Sequence, residues 1–185
     1  MYIDILKKIV NNYDYYRDIA VNLEWAESRS EYYDWTVKVY TIGMNVRIYD
    51  FPENYVRDNF EKAYTQAILS DMAYYEEWEQ DFWKIPQSER LEYMTNADNF
   101  YSDYITYKEY RMKSVTEDFL IQLIKDYATM YRVKNYNIPE SEINAVIPYL
   151  TGAENIDIGG YYSLDHTFIS IKDSSIMLID YGVWD

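Results

Sequence analysis

Apolar positions recur at three and four along residues 2–24, where Ile3, Leu6, Ile9, Val10, Tyr13, Tyr16, Ala20 and Leu23 share one face, so an amphipathic helix is predicted there. The period changes at residues 35–49. Trp35, Val37 and Val39 alternate with Thr36, Lys38 and Tyr40; Val46 and Ile48 alternate with Asn45, Arg47 and Tyr49. With Gly43 between the two runs, this is the pattern of a β-hairpin. Pro52 can open the next helix, with Asp50 as its N-cap. Residues 53–83, free of Pro and Gly, predict one long helix or two with a bend, and Pro86 breaks the pattern. Ser88 to Arg111 reads as further helix, interrupted near Thr95–Asn99.

Ser114-Val115-Thr116-Glu117 matches a capping box. The stripe behind it, from Phe119 and Leu120 to Ala128 and Tyr131, predicts a helix over 115–133. Pro139 starts a short helix, Glu140–Leu150, which Thr151-Gly152 ends. Two runs rich in β-branched and aromatic residues follow, Tyr162–Ile171 and Ser175–Tyr181, joined by Lys172-Asp173-Ser174-Ser175 and predicting a second hairpin at 162–181. The expected architecture is one α+β domain over residues 1–185, mainly helical, its two hairpins pairing into a small antiparallel sheet of about four strands.

Composition changes the picture through charge. Thirty-two Asp and Glu face 17 Lys and Arg, a net charge of -15. Such a chain is repelled by nucleic acid and anionic membranes and attracted to basic surfaces, so no direct nucleic-acid or membrane binding is expected. The plain alternative is that the acid serves solubility alone. With 49% hydrophobic residues and mean hydropathy of -0.48, a packed core and a soluble protein are expected. No apolar run approaches the roughly 18 residues of a membrane helix. The first residues lack the pattern of a signal peptide. The absence of cysteine removes thiol chemistry and fits a cytoplasmic setting.

The acid is uneven. Residues 1–49 carry -1, 50–104 carry -9, 105–139 carry +2 and 140–185 carry -7. Within the second stretch, Asp71, Glu76, Glu77, Glu79, Asp81, Glu89, Glu92, Asp98 and Asp103 are diluted only by Lys84 and Arg90. Aromatic side chains, Trp78 and Trp83 among them, stand between the carboxylates. Tyrosine is abundant throughout, at 24 residues; A/T-rich codon usage and selection for amphipathic contact area both produce that excess. On a helix, carboxylates three or four residues apart fall about 5 Å from one another along a face. Duplex DNA carries about one charge per 1.7 Å of axis. Two neighbouring acidic helices, or a helix and a loop, can therefore approximate two rows of phosphates. Like charges at such spacings cost a few tenths of a kcal/mol each, which invites an external partner. The bland alternative is a solvated acidic face.

No pattern of catalytic residues emerges. The single histidine, His166, precludes a His-rich metal site and lacks a Gly-x-Ser-x-Gly elbow to serve, so an ordinary hydrogen bond in a strand or turn is expected of it. Gly159-Gly160 fits no phosphate loop and is expected to turn the chain before the last hairpin. EF-hand spacing is absent, and paired carboxylates are nameable at will in so acidic a chain. Neither an enzyme nor a cofactor is expected. The cations Lys108, Arg111, Lys113, Lys125, Arg132 and Lys134 are expected to pair with acids of the fold or of a dimer.

The acid- and tyrosine-rich segment 71–104 resembles the small anti-defence proteins of phages and mobile elements, the DNA-mimicking antirestriction proteins and anti-CRISPR proteins. The string from Ile156-Asp157-Ile158-Gly159-Gly160 through His166-Thr167-Phe168-Ile169-Ser170 is similar to the end of ArdA-type antirestriction proteins. The resemblance is compositional over most of the chain and carries no family residue across. It implies an inhibitor that occupies the DNA-binding surface of a Cas nuclease or restriction enzyme, with a homodimer as one arrangement. An immunity or antitoxin-type protein neutralising a basic toxin is the competing reading.

Overall fold

The period-two segments meet at the centre of the molecule. The computed structural model describes residues 1–10, 12, 15, 18, 36–75, 112–159 and 166–181, without the side chains of Val10, Thr36, Val37, Val39 and residues 68–75. Its strands are β1 (Thr36–Thr41), β2 (Asn45–Asp50), β3 (Lys113–Ser114), β4 (Glu154–Gly159), β5 (His166–Lys172) and β6 (Ser175–Tyr181). They form one antiparallel sheet in the order β1-β2-β6-β5-β4-β3. The helices are α1 (Tyr2–Val10), α2 (Tyr55–Asp58), α3 (Phe60–Tyr75), α4 (Glu117–Val133) and α5 (Glu140–Leu150).

This corrects the expectation of a mainly helical domain with a small sheet. The hairpins β1–β2 and β5–β6 join through β2 and β6, with Val46 opposite Ile179 and Ile48 opposite Met177. The sheet then continues through β4 and β3, which the hydrophobic pattern did not predict. Helices cover both of its faces. On one, Tyr49, Ile156, Ile158, Ile169, Ile171, Ile176 and Leu178 form a core with residues of α1, α2 and α3, including Leu6, Val56, Phe60 and Ala63. On the other, Val46, Ile48, Phe168, Met177 and Ile179 pack with Leu120, Ile124 and Ala128 of α4 and Ile143, Val146 and Leu150 of α5. A strand covered on both sides needs no polar face, which accounts for the unbroken run Ile176-Met177-Leu178-Ile179.

Local signals were displaced as well. Asp50 does not cap a helix: it ends β2 and pairs with Lys38 at 2.5 Å. The N–H groups of Val56 and Arg57 instead donate to the main-chain carbonyl of Asp173 in the β5–β6 turn, at 3.0 and 3.2 Å. The chain breaks between α2 and α3 at Asn59. Ser114 lies in β3, so the expected capping box does not form. Thr116 is the N-cap of α4 and accepts from the Phe119 N–H at 3.2 Å. The Glu117 carboxylate reaches across to the end of α5, accepting from the Thr151 hydroxyl at 3.0 Å and the Gly152 N–H at 3.2 Å. Gly43 occupies the β1–β2 turn at φ 82°, where a Cβ would lie 2.9 Å from Tyr131 Cδ2 and 3.1 Å from the Tyr127 carbonyl oxygen; only glycine lets the turn approach α4 so closely.

Candidate functional site

The carboxylate segment starts from the fold at a defined place. Asp71 lies in the last turns of α3, while Glu76, Glu77, Trp78, Glu79, Asp81, Trp83, Glu89, Glu92, Asp98 and Asp103 lie outside the described residues. In the chain these residues connect α3, packed on one sheet face, to the edge strand β3. The residues Lys84, Arg90, Lys108 and Arg111, and the helix expected over Ser88–Arg111, also lie outside the described residues.

Within the described residues, carboxylates are largely engaged by the fold itself. Asp180 Oδ2 stands 3.6 Å from the guanidinium of buried Arg47, and its Oδ1 accepts from the Thr167 hydroxyl. Strand pairing sets this up: Asn45 and Thr167 are both register partners of Asp180. Asp157 is buried in β4, accepts from the Gly159 N–H at 2.8 Å and lies 3.7 Å from Lys113 Nζ. Glu140 pairs with Arg132 at 2.9 Å, and Glu61 accepts from the Tyr15 hydroxyl at 2.6 Å. The pairing with acids of the fold expected of Arg132 and Lys113 is thus seen for these two. Of the 32 acids, 16 belong to the described residues together with 11 of the 17 bases, a net of -5 out of -15.

Glu154 has a structural task at the start of α1. Burial alone would raise its carboxyl pKa. The N–H groups of Ile3 and Tyr2, both at 2.9 Å, and the Met1 ammonium at 3.0 Å outweigh burial and hold it below the usual carboxylate range. One β4 carboxylate thereby satisfies orphan donors of a helix on the neighbouring layer. Close by, the Tyr2 hydroxyl donates to Asp173 at 3.2 Å; its pKa is pushed up to about 12 by burial first and by the Asp173 charge second.

His166 opens β5, with its ring stacked against Tyr181 at 5.6 Å and Phe168 at 5.9 Å. Its Nδ1 is buried 3.4 Å from Asp157 Oδ1 and makes no hydrogen bond among the described residues. Gly159 closes β4 at φ 78° beside an irregularity in the β4–β5 register, and Gly160, the other residue of the expected turn, lies outside the described residues. No three His, Asp or Glu side chains among the described residues gather into a metal-sized group. No helix among them is long and apolar enough to cross a membrane.

Neither a family model, nor a curated protein, nor a solved structure matches this chain. The molecule's own geometry must therefore carry the functional reading.

One concave feature went unanticipated in the sequence. A cavity of about 400 Å³ opens where the end of α4, the loop to α5, the β1–β2 turn and the end of β6 converge. Tyr131, Tyr136 and Tyr181 line it, with Asn45, Asn137 and Asp180 among its polar groups. The Tyr131 and Tyr136 rings meet edge to face, 5.5 Å apart at 62°. The only sequence signal was tyrosine excess, which does not say which rings converge.

Proposed function

We propose that the protein is an acidic inhibitor that binds the nucleic-acid-binding surface of a basic bacterial defence nuclease, a Cas nuclease or restriction enzyme, in the host cytoplasm, and acts there as a DNA mimic. One observation carries the reading: the acid is concentrated along the chain, with residues 50–104 carrying -9 of the net -15. Residues 76–104 supply the largest share, eight acids against two bases, with aromatic side chains between them. Neutralisation of carboxylates by a groove lined with Lys and Arg releases counterions much as phosphate binding does, so such a complex is sensitive to salt and competes with DNA.

The test is a binding measurement against a panel of Cas nucleases and restriction enzymes at two salt concentrations, with and without duplex DNA. The reading expects affinity to fall roughly tenfold or more between 50 and 200 mM salt. It also expects DNA and this protein to exclude one another from the nuclease. A complex indifferent to both conditions would overturn the proposal. Salt-sensitive binding to a basic toxin, with no DNA competition, would favour the immunity-protein reading instead.

A further inference from the structure

The tyrosine-lined cavity has the composition of a cation site. Its wall holds one formally charged side chain, the Asp180 carboxylate, and no Lys, Arg or His. The other polar side chains at the wall, among them Asn45 and Asn137, all offer an accepting oxygen. The 17-residue helix α4 ends at this cavity, bringing the partial negative charge of a helix C-terminus to it. Buried Arg47 stands 3.6 Å from Asp180 and shares its charge, so the Tyr131 and Tyr136 rings and the helix end supply much of the attraction. One ring already takes a cation: Lys134 Nζ lies 5.6 Å from the centroid of Tyr131.

We propose that this cavity receives the guanidinium of an arginine side chain, contributed by the basic partner. The partner's identity rests on the functional reading above; the cation site itself does not. A guanidinium is planar, so it stacks on tyrosine, and it has five donors and no acceptor, matching a wall of rings and accepting oxygens. An anion would find no cation in the lining. Lys134 is then a built-in competitor from outside the wall.

The site is tested on the full chain by following backbone amide shifts of Gly43, Asn45 and Asn137 in titrations with N-acetylarginine N-methylamide and with its neutral citrulline counterpart. The arginine probe is expected to move these amides and to bind about three- to fivefold more tightly than the citrulline probe. Tyr136→Ala, at a residue 61% exposed, should leave the fold intact and weaken the arginine probe about threefold. Lys134→Gln should tighten it about twofold by removing the competing cation. Equal binding of the two probes, absence of shifts at these amides, or weakening by Lys134→Gln would each overturn the cation site. Saturating arginine probe is further expected to weaken the nuclease complex. A probe that fills the cavity and leaves that complex unchanged would overturn the assignment to a partner's arginine, whereas loss of DNA competition alone would remove the mimic reading and leave the cation site standing.

Discussion

The stretches of chain that build the sheet and its helices differ from residues 76–104 in how acid and base are mixed along the sequence. Asp180, Asp157, Glu154 and Glu117 each sit at a join between elements and take hydrogen bonds or cations from a second strand, helix or turn. Over the described residues 16 acids face 11 bases. In residues 76–104 the ratio is eight to two, and tryptophans and tyrosines separate the charges. The lesson is that net charge alone does not identify an interface. Acid that organises a fold must be discounted before any of it is assigned to a partner.

The comparison breaks first at Asp180. Asp180→Asn removes the charge facing buried Arg47 while keeping shape and one acceptor. Loss of the carboxylate facing buried Arg47 should cost about 2 kcal/mol, lowering Tm by about 6 °C. Arg47→Met combined with Asp180→Leu should recover most of that loss. Denaturant melts of the single and double variants check both statements. A single variant as stable as the parent would mean that this carboxylate is surplus to the fold.

The opposite behaviour is expected of Glu76, Glu77, Glu79 and Asp81 replaced together by Lys. The mimic reading expects stability to change by less than about 1 kcal/mol, the size seen when charges outside a packed core are changed. Affinity for the nuclease should drop by about 100-fold or more, roughly 2.7 kcal/mol. Parallel melts and binding isotherms separate the two readouts. Retained affinity would place the contact elsewhere. Asp157 returns to the first kind of behaviour: Asp157→Ala leaves the Gly159 N–H without its 2.8 Å acceptor and should cost about 2 kcal/mol in the same melts.

Where the chain made its structure legible, the signal was an apolar stripe with a stop. The pattern around Leu120, Ile124 and Ala128 located α4, and Pro139 with Thr151-Gly152 bracketed α5. What stayed hidden depended on contacts distant in sequence. Strand β4 alternates Asn155 and Asp157 with Ile156 and Ile158, which looks half exposed. Those polar positions are buried instead, because the Ser170 hydroxyl donates to Asn155 at 2.6 Å and Gly159 and Lys113 serve Asp157. The capping box failed because β3 claimed Ser114 and α5 claimed Glu117. Of the candidate contact residues, only Asp71 falls on a described element. The cavity was illegible because Gly43, Tyr136 and Asp180 lie far apart in the chain and meet only through the β2–β6 register and the close approach of the turn to α4.

The smallest expected effect tests whether a structural carboxylate can be told from a surplus one by pH. The carboxyl of Glu154 ionises below its usual range because the Tyr2 and Ile3 N–H groups and the Met1 ammonium favour the charged form over the cost of burial. A lowered folded pKa means that the unfolded chain binds the proton more tightly. Glu154 therefore stabilises the fold in full above the unfolded glutamate value of about 4.3, and that contribution disappears as pH falls through the lower folded value. Glu154→Gln keeps one accepting oxygen and loses the charge, so it should cost about 1 kcal/mol at neutral pH. The gap between parent and variant should close on acidification, making the variant's stability flatter across the acid limb. Denaturant midpoints measured from pH 7 down to pH 3 check this, and a gap that stayed constant or widened in acid would mean that the charge of Glu154 contributes nothing to the docking of α1. The mimic reading, which keeps Glu77 for a partner, expects Glu77→Gln to leave the same acid limb unmoved.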